Sequence, residues 1–219
     1  MDRTVSYATV CGRIAAACER AGRPPEEVEL LVVSKGRSVD AVEHVYRLGH
    51  RAFGENRAQE LREKAPQLPA DIRWHFVGPL QTNKVRVVRP AVVALHSMDR
   101  DSLALAWLKG RGMPPPVYVE VNIGNEPQKA GVAPQEVGPF CDRLADLGVP
   151  MLGLMAIPPQ GETPEDSRSH FAALRMIRDE VMLVHPQVTG LSMGMTDDFE
   201  VAIEEGATVI RVGRAIFDP

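Results

Sequence analysis

The sequence has only three cysteines, Cys11, Cys18 and Cys141, with no C-x-x-C pair, and its six histidines are scattered singly. That pattern supports neither a disulfide framework nor a zinc site, and no metal is expected. Cys11 and Cys18 lie seven residues apart, on one face of any helix there, and read as small buried hydrophobes rather than a redox pair. Neither sign of charge is in excess: 25 Lys and Arg stand against 29 Asp and Glu, a net charge of −4. Such a balance carries no footprint for nucleic acid or an anionic membrane. No apolar run approaches membrane-spanning length, and the start MDRTVSYATVCGRIAAACERAG lacks a basic segment followed by an apolar one. The expectation is a cytoplasmic protein, a monomer, with a small-molecule partner. No long linker, low-complexity tract or shift in composition divides the chain, so residues 1–219 are expected to form a single domain.

What is present is alternation. Val5, Val10, Ile14, Ala17 and Cys18 recur at helical spacing, predicting an amphipathic helix over about 2–21, ended by Gly22 and Pro24-Pro25. Short valine-rich runs then alternate with helical patterns. Strands are predicted at 29–34, 51–54, 73–78, 91–96, 117–123, 151–156, 188–193 and 208–212. Helices are predicted at 38–48, 56–65, 81–88, 100–109, 134–147, 164–184, 197–205 and 214–217. Strands buried on both faces and separated by helices form a parallel sheet, and eight such units close into a (β/α)8 TIM-like barrel over about 29–217. An open doubly wound sheet is the rival.

In a barrel, chemistry sits at the C-terminal strand ends. Lys35 ends the most apolar strand, where desolvation would lower its pKa and offer a neutral amine to aldehydes. In the first of the last two loops lies Gly190-Leu191-Ser192-Met193-Gly194, which also fits the G-x-S-x-G nucleophile elbow of α/β-hydrolases. The second supplies Gly213 and a single helical turn. Together they make a phosphate cup, the usual use of these loops in barrels. Arg211 shares a face with Gly213, so its guanidinium is buried and needs either a carboxylate such as Glu55 or Glu120 or a bound ligand. An aldehyde bearing a phosphate fits these parts. Pyridoxal 5′-phosphate (PLP) is the common cofactor of that kind, and a Schiff-base aldolase acting on a phosphosugar fits equally.

Ordered motifs run along nearly the whole chain: VVSK at 32–35, FGENRAQE at 53–60, WHFVGPLQTNK at 74–84, VNIGNEPQKAG at 121–131, LGLMAIPP at 152–159, LSMGMTDDFEVAI at 191–203 and VIRVGRAIF at 209–217. By these the chain resembles the pyridoxal phosphate homeostasis protein family, whose members resemble the N-terminal barrel of alanine racemase. The resemblance implies that Lys35 forms an internal aldimine with PLP, that Asn56 lies near the ring, and that Ser192, Gly194, Gly213 and Arg214 take the phosphate. It also implies that Arg211 faces the pyridine nitrogen. Two departures stand out. Gly36-Arg37-Ser38 follows the lysine where the family more often has threonine and then, two residues on, proline, which bears on the stiffness of the loop. Arg214 stands where threonine or serine is common.

An always-charged arginine at the pyridine nitrogen makes the ring a weak electron sink, so the expectation is cofactor holding and delivery within vitamin B6 homeostasis, with little or no turnover. PLP-dependent apo-enzymes are the candidate recipients. A slow PLP-dependent amino-acid racemase using Lys35 as one base is the alternative. A serine hydrolase built on Ser192 is the third reading, with no histidine after Ser192 to complete the elbow order. Lys84 and Lys129 lie in motifs of the resemblance but read as solvated loop lysines. His75 reads as a satisfied barrel residue.

Overall fold

A computed structural model describes residues 3–218. Residue 2, the expected start of the first helix, lies outside the described residues. Helix α1 (Arg3–Arg20) buries Ser6, Val10, Ile14, Ala17 and Cys18. Residues 6, 10, 14 and 17 share a line at helical spacing, so Val5 falls off it and is exposed.

Eight strands follow: β1 (Glu29–Val33), β2 (Ala52–Glu55), β3 (Arg73–Phe76), β4 (Ala94–Met98), β5 (Val117–Val121), β6 (Met151–Ala156), β7 (Gly190–Ser192) and β8 (Val209–Val212). Each pairs in parallel with the next, and β8 closes on β1. Between and after them run α2 (Val39–Arg47), α3 (Ala58–Lys64), α4 (Val85–Val88), α5 (Asp101–Leu108), α6 (Val137–Asp146), α7 (Arg168–Met182), α8 (Phe199–Glu204) and α9 (Arg214–Phe217). The expected (β/α)8 barrel behind an N-terminal helix is observed, and the open sheet is not. Helix α1 packs on α8 and α9 beside the seam where the barrel closes.

The strand alternation divides the apolar residues into two clusters. Outward residues such as Leu30, Val32, Phe53, Trp74, Leu95, Leu154 and Ile210 meet the helices in the large core. Leu31, Ala52, Tyr118, Met155 and Val209 fill the barrel interior as a small separate cluster.

Several boundaries differ from the sequence expectation, and proline accounts for most of them. The strand expected at 91–96 starts at Ala94, because Pro90 sits in a 3-10 turn (Arg89–Ala91) that precedes it. The helix expected at 56–65 is α3 followed by a 3-10 turn around Pro66, and that expected at 164–184 opens with a 3-10 turn at Pro164. Strand β7 is only three residues long, so Ser192 belongs to the strand and not to the loop beyond it. Among the described residues no helix is long and apolar enough to cross a membrane.

Candidate functional site

Lys35 follows β1 in a turn held on both sides of it. Ser34 is fully buried; its N–H donates to the Gly54 carbonyl (2.9 Å) and its Oγ to Glu55 Oε1 (2.8 Å). From α3, Lys64 reaches in, and its Nζ donates to the Ser34 carbonyl (2.7 Å), Glu55 Oε1 (2.6 Å) and Glu60 Oε2 (2.8 Å). Gly36, at φ +69°, donates its N–H to Glu60 Oε2 (2.7 Å). Arg37 pairs with Asp218 and lies over the Phe217 ring. These anchors stiffen the turn in place of the threonine and proline that the sequence lacks. Lys35 itself is exposed, not buried with the apolar strand it follows. Among the described residues its Nζ has no partner.

Arg211, 5% exposed, crosses the interior from β8. The expected carboxylate partner is not there: Glu55 faces outward to Lys64, and no ion pair joins Arg211 to Glu120. Instead Nη1 donates to the Ser192 carbonyl (2.6 Å) and Ser192 Oγ (2.8 Å), and Nη2 to the Ala156 carbonyl (3.0 Å). Three of the five guanidinium N–H groups are used in this way, leaving one on Nη2 and that on Nε. Burial pulls the Arg211 pKa down to about 10, against the opposing pull of Glu120 and Asp198. Burial likewise lifts Glu120 to about 7, with Asp99 adding to the effect and Arg211 opposing it.

Behind Arg211, Ser192 Oγ lies 2.8 Å from His96 Nδ1, and His96 Nε2 lies 2.9 Å from His75 Nδ1. Burial pushes His75 down to about 4 and His96 well below its usual value. His75 Nε2 and Asn56 Oδ1 are buried without a hydrogen-bond partner among the described residues, so His75 is not the satisfied residue expected. Ser192 does have a histidine neighbour. But it is fully buried, its Oγ accepts from an arginine, and the next group behind His96 is a second imidazole rather than an acid. That is not the exposed elbow a hydrolase requires.

The two glycines of the expected cup are sterically required. A Cβ on Gly194, at φ +90°, would lie 2.5 Å from the Ala202 Cβ; on Gly213 it would lie 2.8 Å from the Val33 carbonyl oxygen. Gly213 immediately precedes α9, and the exposed Arg214 pairs with Asp197. Beside them opens a cavity of about 800 Å³ lined by Met195, Asp198, Arg214, Pro158 and Lys129. Lys129 Nζ donates to the Pro158 carbonyl (3.1 Å) and pairs with Glu126. Sequence reasoning missed Lys64 and His96. The i,i+4 pair Glu60–Lys64 was a readable signal for the first. Thr196, half-buried, is the only hydroxyl between Ser192 and α8.

Fold and mouth together define a class: an eight-stranded α/β barrel that brings a lysine from its first strand, an arginine from its last and glycine-lined turns to one end. No family model matches the chain. A pyridoxal phosphate homeostasis protein of Aquifex aeolicus is 44% identical over 223 residues, covering 99% of this chain and 98% of that one. The chain belongs to the pyridoxal phosphate homeostasis protein family. Among solved structures, PipY of Synechococcus elongatus with PLP bound matches at TM-score 0.80 and 34% identity, over 95% of this chain and 99% of that one. A lysine/ornithine decarboxylase of Vibrio vulnificus shares the fold at TM-score 0.68 and 13% identity, over 94% of this chain and 62% of its own length.

Proposed function

We propose that the chain holds PLP reversibly through Lys35 and delivers it, serving homeostasis of this cofactor with little or no turnover. The observation that carries this reading is the pairing of an unpartnered amine on an anchored turn with sterically required glycines at the same mouth. The bound state of PipY supports it.

When bound, the cofactor supplies an aldehyde that condenses with a primary amine, releasing water, and a ring that can draw electrons. Lys35 provides the amine. Asn56 and His75 each bring an unsatisfied polar atom to the interior side of the mouth, where a ring substituent would satisfy them. Gly194 and Gly213 admit the phosphate to the backbone, with Thr196 and the Arg214 N–H as further donors. Ser192 takes a different part from the one its sequence position implied: it orients Arg211. The guanidinium presents only donors to the ring nitrogen and so keeps that nitrogen unprotonated. The reading extends to a cytoplasmic monomer with PLP-dependent apo-enzymes as recipients.

The test is direct. Incubation with PLP, reduction with borohydride and peptide mapping should place the pyridoxyl group on Lys35, and Lys35→Ala should abolish it. Label on Lys84 or Lys129 alone, or no label, would overturn the proposal. Inversion of L-alanine well above the free-cofactor rate, lost in Lys35→Ala, would replace delivery with racemisation.

A further inference from the structure

Four side chains tie opposite walls of the barrel together: Arg211 on β8, Ser192 on β7, His96 on β4 and His75 beyond it on β3, at successive separations of 2.8, 2.8 and 2.9 Å. Their chemistry gives the chain a single direction. A guanidinium only donates, so Ser192 Oγ is an acceptor toward Arg211. The hydroxyl proton then has one remaining neighbour, His96 Nδ1, which must be the unprotonated nitrogen. A neutral His96 therefore carries its proton on Nε2 and donates it to His75 Nδ1. His75 in turn carries its own proton on Nε2. The reverse order would strand two buried groups, the serine proton and an unprotonated His75 Nε2, whereas this order strands only the His75 Nε2–H, and each unmade bond costs about 1–3 kcal/mol. Burial keeps both imidazoles neutral at physiological pH.

The surroundings hold the chain rigidly. Tyr118 stacks on His96 at 4.4 Å between ring centroids, and Gly190 makes room for that tyrosine, since a Cβ there would lie 2.8 Å from Tyr118 Cε1.

We propose that His96, and His75 behind it, are positioning residues that act through Ser192 to fix the plane of the Arg211 guanidinium and so the direction of its two remaining N–H groups. The consequence for PLP rests on the function proposed above; the direction of the chain does not.

The experiment uses the full chain, labelled with 15N at histidine and arginine. Without ligand at neutral pH, His75 and His96 are each expected as the pure Nε2–H form. An Nδ1–H form or a mixture at either residue overturns the proposal. Two variants separate positioning from packing. His96→Phe keeps a ring on Tyr118 but breaks the chain, whereas His96→Gln keeps one acceptor and one donor. In His96→Phe, His75 should become a mixture of tautomers, the Arg211 Nε–H resonance should broaden, and PLP affinity should fall about tenfold. His96→Gln should restore a sharp Arg211 resonance and affinity within about twofold of the parent. An unchanged Arg211 resonance in His96→Phe, or equal losses in both variants, would refute positioning. Should the parent fail to bind PLP, the proposed function falls while the tautomer and Arg211 signals still decide this inference.

Discussion

Lys64 is the residue on which the site most depends without belonging to it. Its ammonium sits 8% exposed between Glu55, Glu60 and the Ser34 carbonyl. Removing one member of a buried ion pair strands the other, a loss of about 3–5 kcal/mol. Lys64→Met should therefore lower stability in urea unfolding by that amount, and Glu55→Gln in the same chain should recover part of it. Residue types alone could not separate the two lysines. Lys35 follows a strongly apolar run yet ends exposed, whereas Lys64 lies in a charged helix yet ends buried. Sequence shows what a side chain follows; burial depends on what folds over it. The same limit explains Ser192. Its motif was legible, but its neighbours come from strands distant in sequence, so its partners were not.

At the scale of elements, strands were more legible than helices. Runs such as Leu30–Val33 and Met151–Ala156 are short, apolar and bounded, and the structure keeps them nearly as expected. The helices carry 3-10 turns at their ends that periodicity alone does not reveal. Glycine gives two opposite predictions. In β6, a Cβ on Gly153 would lie 2.0 Å from the Gly190 carbonyl oxygen, a backbone group that cannot give way. Gly153→Ala should cost about 3 kcal/mol by overpacking. Gly12 lies inside α1 with nothing within 4 Å of a new Cβ. Gly12→Ala should raise stability by about 1 kcal/mol, and both changes can be read from thermal or urea midpoints.

For the whole molecule, buried titratable groups set the response to pH. Burial lowers His50 and His75 to about 4, and His96 well below its ordinary value. The unfolded chain takes up these protons near pH 6.5 while the folded one refuses them. Their contribution is therefore complete above about pH 6.5 and is lost as pH falls toward 4, about 3 kcal/mol each for His50 and His75. Glu120, raised to about 7, has the opposite sign. Its contribution is present below the ordinary carboxylate range and is lost as pH rises through 7. The histidines outnumber it, so unfolding free energy should rise between pH 4.5 and 6.5, and Glu120→Gln should steepen that rise. A profile unchanged in the variant would show that Glu120 titrates normally.

The mouth is assembled across the seam where the barrel closes: Lys35 follows the first strand, Arg211 lies on the eighth with Gly213 just after it, and a Cβ on Gly213 would meet the Val33 carbonyl across the join. During synthesis the amine on the first strand emerges before its counterparts on the eighth. No partly made chain can hold a phosphorylated aldehyde between them, so capture of such a ligand would report that the ring has closed. By mass action it would also hold the ring shut, making such a ligand the fastener of the joint between the first strand and the eighth.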